Sequence, residues 1–312
     1  MLDYRKFTGS RDLRQRILSN LSWVPDKLML RIQYFLQTGR WLNLKNPRRF
    51  TEKIQWYKLY YRDPAMLRCT DKKEVREYVR EKGLGDILIP LYATFGNVEE
   101  VDLDKLPTQF VAKTTDGGGS HEIMVCKNKD EIPRDIFISK INNWLSQPKP
   151  RKHIAREWAY DNGIPRRIII EKLLDSQDNY SLIDYKFFCF DGKVKYIYAI
   201  SERKIGTSAK LGIYDENFTK LNVDRVDEGH QERSLPKPEN FERMKDIARV
   251  LANGFPHVRV DLYNVNGKIY FGELTFYDGS GYMGFNPDSF DYELGKCFDL
   301  TNLKGSRKNR KC

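Results

Sequence analysis

Paired cysteines are missing from this sequence. Its five cysteines, Cys69, Cys126, Cys189, Cys297 and Cys312, are dispersed and form no CxxC, which excludes a disulfide framework and suits a reducing compartment. Histidine is scarce as well. His121, His153, His230 and His257 never fall at i, i+4, so neither an HExxH helix nor a Cys/His zinc cluster exists. No apolar run approaches the roughly 18 residues a spanning helix needs. The first residues, MLDYRKFTGSRDLRQR, hold no apolar core followed by a small-residue cleavage site. A chain with these absences is expected in the cytoplasm or resting on the inner face of the membrane. Internal repeats and low-complexity tracts are lacking too.

What is present is enough for a sizeable core. The chain has 312 residues, 40% hydrophobic and 13% aromatic, a length that suits one large domain or two lobes around a cleft. Its net charge of +11 is uneven. Residues 1 to 60 hold 13 Lys/Arg against 4 Asp/Glu, and the tail KGSRKNRKC adds five cations and no acid. The body between them, residues 61 to 303, is therefore at −3. Basic ends of this kind are a solvated face, or they steer an anionic substrate, a membrane surface or a nucleic acid. Nucleic acid is the poorest fit, because the ends carry neither an RNP motif nor a zinc finger.

The first 60 residues read as helices: an amphipathic stretch over Asp26 to Gln37, then a start at Thr51 before EKIQWYKLYY. Residues 71 to 83 read as a third helix between an Asp71 N-cap and a Gly83 C-cap. Beyond it the texture turns β-branched and aromatic. QFVAK, EIMVC, RIIIEKLL, DYKFFCF and KVKYIYAI are predicted strands, FERMKDIARVLANGF a helix, and HVRVDLY and KIYFGELTF two further strands. The expected class is α+β with largely antiparallel strands.

Chemistry concentrates in HVRVDLYNVNGKIYFGELTF, residues 257 to 276. Alternation puts Arg259 and Asp261 on one face of its first strand, and Glu273 and Thr275 on one face of the second. A three-residue loop, Val265-Asn266-Gly267, would set Arg259 opposite Glu273 and bring all four to one side; a two-residue Asn-Gly turn would separate them. The three-residue loop is expected, because the other register leaves Glu273 among Val258, Val260 and Leu262. Two carboxylates on one face suit Mg²⁺, whose octahedron phosphate oxygens and water complete. They are expected to be solvent-facing cleft groups whose loss leaves the fold intact. The bland reading of the same residues is a half-exposed hairpin with a surface Arg–Glu pair.

FVAKTTDGGGSHEIMV offers a second candidate. Gly117, Gly118, Gly119 and Ser120 could let backbone approach phosphate, with Lys113 as a point charge, although the spacing is neither a Walker motif nor GxGxxG and also describes a plain turn. In the third, Glu171 and Lys172 end an apolar strand, and Asp184, Lys186 and Phe188 share a face of the next. A dry slot with one carboxylate would suit adenine, but a strand-end Glu is commonly solvated.

Taken in order, Asp71-Lys72, FVAK with its GGGS loop, IIIEKLL, and RVDLY followed by GELT resemble the ATP-grasp superfamily. FTEKIQWYKLYYRDP, LP-x-QFVAK, DYKFFCFDGK and FPHVRVDLYNVNGKIYFGELTF resemble its TupA-like branch, found among enzymes of bacterial surface polysaccharide and teichuronopeptide synthesis. The resemblance runs from about Asn43 to Leu294. It implies an ATP-grasp fold of two α+β lobes around a nucleotide cleft, with a short helical region before it. The expected division is a basic helical region over 1–68 and a catalytic module over 69–312, made of a first lobe (69–172), a second (173–303) and a basic tail (304–312). By the same resemblance Lys72 and Lys113 would meet the ATP phosphates and Gly117 to Ser120 would form the phosphate flap. Glu171, with the backbone near Lys172 and Leu174, would sit at adenine and Asp184 at the ribose. Lys186 would reach the phosphates, Arg259 the transferring phosphoryl group, and Asp261 and Glu273 would bind Mg²⁺. Thr275 stands where many relatives carry a third metal-binding Asn.

The expected activity is ATP-dependent carboxylate–amine ligation through an acyl phosphate, on a uronic acid of a surface glycan or its precursor and an amino acid or other amine. A sugar or polysaccharide kinase could use the same ATP site. A glycosyltransferase would have only the DxD at Asp102-Leu103-Asp104, which reads better as an acidic turn. The basic segment before residue 61 is expected to attract a polyanionic acceptor or a membrane surface, with Arg40, Arg48 and Arg49 supplying charge and Tyr34, Trp41, Trp56 and Tyr57 offering faces to sugar rings.

Overall fold

Helical periodicity before residue 90 and strand alternation after it become separate layers. In a computed structural model of the chain, residues 18–117, 122–147, 153–161, 163–174, 182–202, 209–301 and 303 are described. Four helices come first: α1 (Asp26–Thr38), α2 (Phe50–Tyr60), α3 (Pro64–Cys69) and α4 (Val75–Glu81). Asp71 accepts from the amides of Lys73 and Glu74, both at 2.9 Å, and so caps the turn that leads into α4. Gly83 closes that helix at φ 74°.

A four-stranded antiparallel sheet follows, in the order β1 (Leu91–Phe95), β4 (Ile168–Glu171), β2 (Phe110–Thr114), β3 (Ile123–Cys126), with α5 (Arg134–Ser146) between β3 and β4 in sequence. Its core gathers Phe95, Phe110, Phe137, Trp144 and Ile168. β1 and α5 are not expected from the sequence. Tyr92 is exposed on β1, which blurs its alternation, and α5 buries only Phe137, Ile141 and Trp144.

The larger sheet has β5 (Asp184–Phe190), β6 (Lys193–Ser201), β7 (Lys210–Asp215), β9 (Gly229–His230), β10 (His257–Val265) and β11 (Lys268–Thr275), in the order β11-β10-β5-β6-β7-β9. Only β7 and β9 pair in parallel among the described strands. A two-stranded ribbon joins β8 (Asp224–Arg225) to β12 (Phe285–Asn286). Helix α6 (Phe241–Ala252) lies on β5, β6 and β10, and α7 (Ser289–Cys297) packs on α2.

The core of the large sheet reaches back into the N-terminal helices. Phe50, Ile54, Tyr57, Met66, Val75 and Val79 are continuous with Phe188, Val258 and Phe298. Helix α2 thereby lies directly against the irregular segment Asp278–Gly281 that follows β11. Two ion-paired arginines add to this docking: Arg49 reaches Asp288 at 2.7 Å and Asp291 at 3.3 Å, and Arg40 reaches Asp288 at 2.6 Å. Arg40 and Arg49 therefore serve the packing of α7 rather than standing free for a polyanion. Of the four aromatics expected to face sugar rings, Tyr34, Trp56 and Tyr57 are buried; Trp41 alone is exposed.

Candidate active site

The β10–β11 hairpin departs from the register expected of it. Its turn is the two-residue Asn266-Gly267, with φ of 52° and 78°, the doubly positive pattern of a type I′ turn, and Val265 pairs with Lys268. Continued unbroken, that register would push Glu273 and Thr275 onto the apolar face. It is broken at Gly272. Leu262 pairs with Phe271 but Asp261 pairs with Glu273, so Gly272 is the extra residue of a β-bulge. Beyond the bulge Arg259 pairs with Thr275, not with Glu273. All four polar residues share a face after all, through a bulge instead of a three-residue loop. Gly272 is required there: a Cβ would stand 3.0 Å from the Asp261 carbonyl oxygen and 3.2 Å from the Tyr263 ring.

On the other side of β10, Asp261 pairs with Lys186 and Tyr263 with Asp184. The three strands thus bring Asp184, Lys186, Arg259, Asp261, Glu273 and Thr275 onto one surface. Arg259 donates from Nε to Asp261 Oδ1 and from Nη2 to Asp261 Oδ2, both at 2.7 Å. The same Nη2 reaches Glu273 Oε1 at 3.2 Å and Thr275 Oγ1 at 3.0 Å. Lys186 Nζ bonds Asp184 at 2.7 Å and also Asp261. Burial and the Arg259 charge push the Lys186 ammonium down, but Asp184, Asp261 and Glu273 outweigh them and hold its pKa above the usual value. Burial alone would raise Asp261; Arg259 and Lys186 overcome that and keep it below the usual carboxylate range.

Asp261 is not a solvent-facing group. It is 1% exposed, which corrects the expectation that both carboxylates line open solvent, while the Glu273 side chain is 45% exposed. A buried carboxylate is tolerable here because two cations hold it. Sequence reasoning also missed the carboxylate that balances Arg259 from behind. Asp278 is fully buried and accepts from Arg259 Nη1, with Arg225 at 3.7 Å from its other oxygen. An acid placed three residues past Thr275 and followed by glycine was the available signal. In the same segment the Ser280 amide donates to Tyr277 O at 2.9 Å. The Ser280 carbonyl is held from outside by Gln55 Nε2 at 2.9 Å and by the buried Lys58 at 2.8 Å.

The small sheet presents its own charges. Lys113 on β2 reaches across to Glu171 at the end of β4 at 2.6 Å, and Arg76 of α4 holds the other Glu171 oxygen at 3.0 Å. The Lys172 amide donates to Pro90 O at 2.9 Å, which ties down the segment running on to Leu174. Lys72 lies at the start of the flap, its amide donating to Thr115 O at 2.9 Å and its ammonium to Gly117 O. Burial lowers the Lys72 pKa, opposed by Glu273 and aided by Lys113. Lys72 of the turn before α4, Lys113 of the small sheet and Glu273 of the large one therefore act on one another's charge. A Cβ on Gly117 would collide with the Thr114 hydroxyl and the Glu122 carboxylate. Gly118, Gly119 and Ser120 lie outside the described residues. Tyr160, shortly before β4 in sequence, has its pKa raised by burial and by the nearby Glu157 and Glu273.

The donor set fits Mg²⁺ in its phosphate-completed form. Asp261 Oδ2 and Glu273 Oε1 share one guanidinium nitrogen at 2.7 and 3.2 Å, so they can be no further apart than the sum of those distances. Two oxygens on one ion with bonds of about 2.1 Å stand at most about 4.2 Å apart, so a short side-chain movement would be enough to bring both to a shared Mg²⁺. Among the described residues no group of three or more His, Cys, Asp or Glu could hold a metal by itself. The DxD does nothing comparable. Asp102 and Asp104 flank a surface turn, with Asp102 at 3.1 Å from Lys105 and Asp104 at 2.8 Å from Arg134.

Several solved structures resemble the chain distantly. D-alanine–D-alanine ligase from Bacillus anthracis is 20% identical, with 78% of this chain covering 69% of that one at a TM-score of 0.43. An L-amino acid ligase from Bacillus licheniformis is 16% identical over 68% of this chain and 44% of its own, at 0.44. N5-carboxyaminoimidazole synthetase from Staphylococcus aureus is 11% identical over 67% and 44%, at 0.41. No curated protein sequence matches. The family model described as TupA-like ATPgrasp matches residues 52–299, taking in both sheets and every charged residue of the site; the chain belongs to this family and has the ATP-grasp fold, whose members are ATP-dependent carboxylate–amine ligases.

Proposed function

We propose that this chain is an ADP-forming ligase that joins a uronic-acid carboxylate of a bacterial surface polysaccharide, or of its precursor, to an amino acid or another amine. The observation that carries the reading is the assembly of Lys186, Arg259, Asp261 and Glu273 on one face of the large sheet, with Lys72, in the turn before α4, close enough to feel the charge of Glu273. Asp261, Glu273 and the Thr275 hydroxyl would hold Mg²⁺, which when bound offsets charge on the phosphate oxygens. Lys72 and Lys113 would bind the ATP phosphates beside the Gly117–Ser120 flap. Glu171 and the Lys172–Leu174 backbone would receive adenine, and Asp184 the ribose. In the first step the acceptor carboxylate takes the γ-phosphoryl group and ADP leaves. In the second an amine attacks the acyl phosphate and inorganic phosphate leaves.

Arg259 is suited to both steps. Its guanidinium is already oriented by Asp261 and Asp278, so charge developing on the phosphoryl and acyl oxygens meets a donor that needs little reorganisation. An ATP-consuming ligase works on the cytoplasmic side, and among the described residues no helix is long and apolar enough to cross a membrane. The test is a panel of uronic acids and amines scored by ADP release and product mass. An amide with ADP and free phosphate is the expected result. An acceptor phosphorylated on a hydroxyl, and left so in the presence of amine, would make the enzyme a kinase and overturn the reading.

A further inference from the structure

Helix α1 carries two apolar stripes, and the large sheet needs neither. One stripe, Met29, Leu30 and Tyr34 with the buried Gln33, packs inward on Leu42, Leu44 and Trp56. The other, Leu28, Ile32, Phe35 and Leu36, falls at i, i+4, i+7 and i+8 and is exposed. Trp23 just before the helix is 75% exposed and Trp41 just after it 80%. Trp41 stacks on Phe35 at 4.5 Å, extending the stripe past the helix end. Six of the ten large hydrophobic residues exposed among the described ones lie within these 19 positions. An apolar patch so concentrated marks a surface meant to be covered.

We infer that this face of α1, from Trp23 to Trp41, docks on an anionic bilayer surface. Charge chooses the occupant. Lys27 and Arg31 are exposed at i and i+4 along one border of the stripe, and Lys45 and Arg48 are exposed beyond Trp41. These four exposed cations, against Asp26 as the one acid between Trp23 and Arg48, would repel a second copy brought face to face about a two-fold axis. An anionic lipid surface complements them. An apolar helix face bordered by Lys and Arg is the pattern of a helix lying in the plane of the interface, and tryptophan prefers the headgroup depth at which Trp23 and Trp41 would sit. The opposite stripe anchors α1 to the body: Tyr34 bonds Thr51 of α2 at 2.9 Å and Gln33 bonds Ile154 O at 2.8 Å. Docking would therefore hold the whole enzyme at the membrane. The inference stands independently of the ligase reading.

The test is co-sedimentation of the full-length chain with vesicles of phosphatidylcholine alone or with one third phosphatidylglycerol, together with tryptophan emission. Binding to the anionic vesicles with a blue shift is expected, weakened about fivefold by Lys27→Gln and again by Arg31→Gln. The double variant Ile32→Gln, Leu36→Gln should bind at least about tenfold more weakly. Its circular dichroism melt should match the parent, since both side chains are exposed. Equal binding to neutral vesicles, or binding indifferent to the double variant, would overturn the inference. So would the absence of vesicle binding. In that case a dimer dissolved by the double variant would assign the face to a second copy, and a monomer with Trp41 shielded from acrylamide would assign it to residues 1–17.

Discussion

Asp261 and Glu273 are proposed ligands of the same ion, yet their removal should have very unequal effects on stability. In Asp261→Asn the carboxylate that accepts from Arg259 at 2.7 Å twice, and from Lys186, becomes neutral. Both cations are buried, Arg259 at 8% and Lys186 at 7% exposure. Breaking a buried ion pair from one side costs about 3–5 kcal/mol. Lys186 keeps Asp184 and Arg259 keeps Asp278, so the lower end, about 3 kcal/mol, is expected. At roughly 2–4 °C per kcal/mol for large domains that is a fall of about 6–12 °C in Tm. Glu273→Gln removes a side chain that is 45% exposed and 3.2 Å from Arg259, which is worth at most about 1 kcal/mol. Its melting temperature should stay within about 4 °C of the parent. Turnover should nevertheless drop by about 10²-fold or more in both variants, the scale on which loss of a single electrostatic stabiliser falls. Thermal melts of the free proteins and ADP release at rising Mg²⁺ separate the two effects. Equal melting of the two variants, or full turnover by either, would refute the assignment of one carboxylate as internal counter-ion and metal ligand and the other as metal ligand alone.

The bulge supplies another expectation. Gly272→Ala should lower kcat by about tenfold while reducing stability by only about 1–2 kcal/mol, because a Cβ at 3.0 Å from the Asp261 carbonyl oxygen must push that backbone aside next to Glu273; unchanged kinetics would show that the bulge does not set the site. Acid should weaken the fold through His257. Burial lowers its pKa to about 4, while its Nδ1–H donates to Cys189 O at 3.0 Å. With an unfolded value near 6.5, the unfolded chain binds the extra proton between pH 6.5 and 4, so this contribution is fully present above that window and lost as pH falls through it, by about 3 kcal/mol. Urea melts at stepped pH check this, and a flat stability from pH 7 to 4 would exclude it.

Much of the molecule was legible from local pattern. β-Branched and aromatic content marks RIII, DYKFFCF and HVRVDLY as strands, and alternation within HVRVDLY and KIYFGELTF gives the faces of Arg259 with Asp261 and of Glu273 with Thr275. Strand β1 and helix α5 escaped because their apolar positions are few and depend on distant neighbours such as Phe110. Register was beyond local reading. The turn chemistry of Asn266-Gly267 favoured the two-residue form, burial of a carboxylate argued against it, and the conflict was resolved by a bulge at a glycine that alternation alone does not distinguish from any other.

The sequence by itself determined the strand faces, the helical start of the chain, its uneven charge and the residue types able to meet phosphate and metal, because each of these depends on neighbours a few positions away. Tertiary structure decided which of those charges are internal. Asp278 neutralises Arg259 across 19 positions, Arg76 and Lys113 share Glu171 from two separate earlier elements, and Arg49 pairs with acids more than 200 positions away. Whether a charged residue is a tool or a counter-ion depends on which other charges share its low-dielectric surroundings, and only the folded chain brings those together.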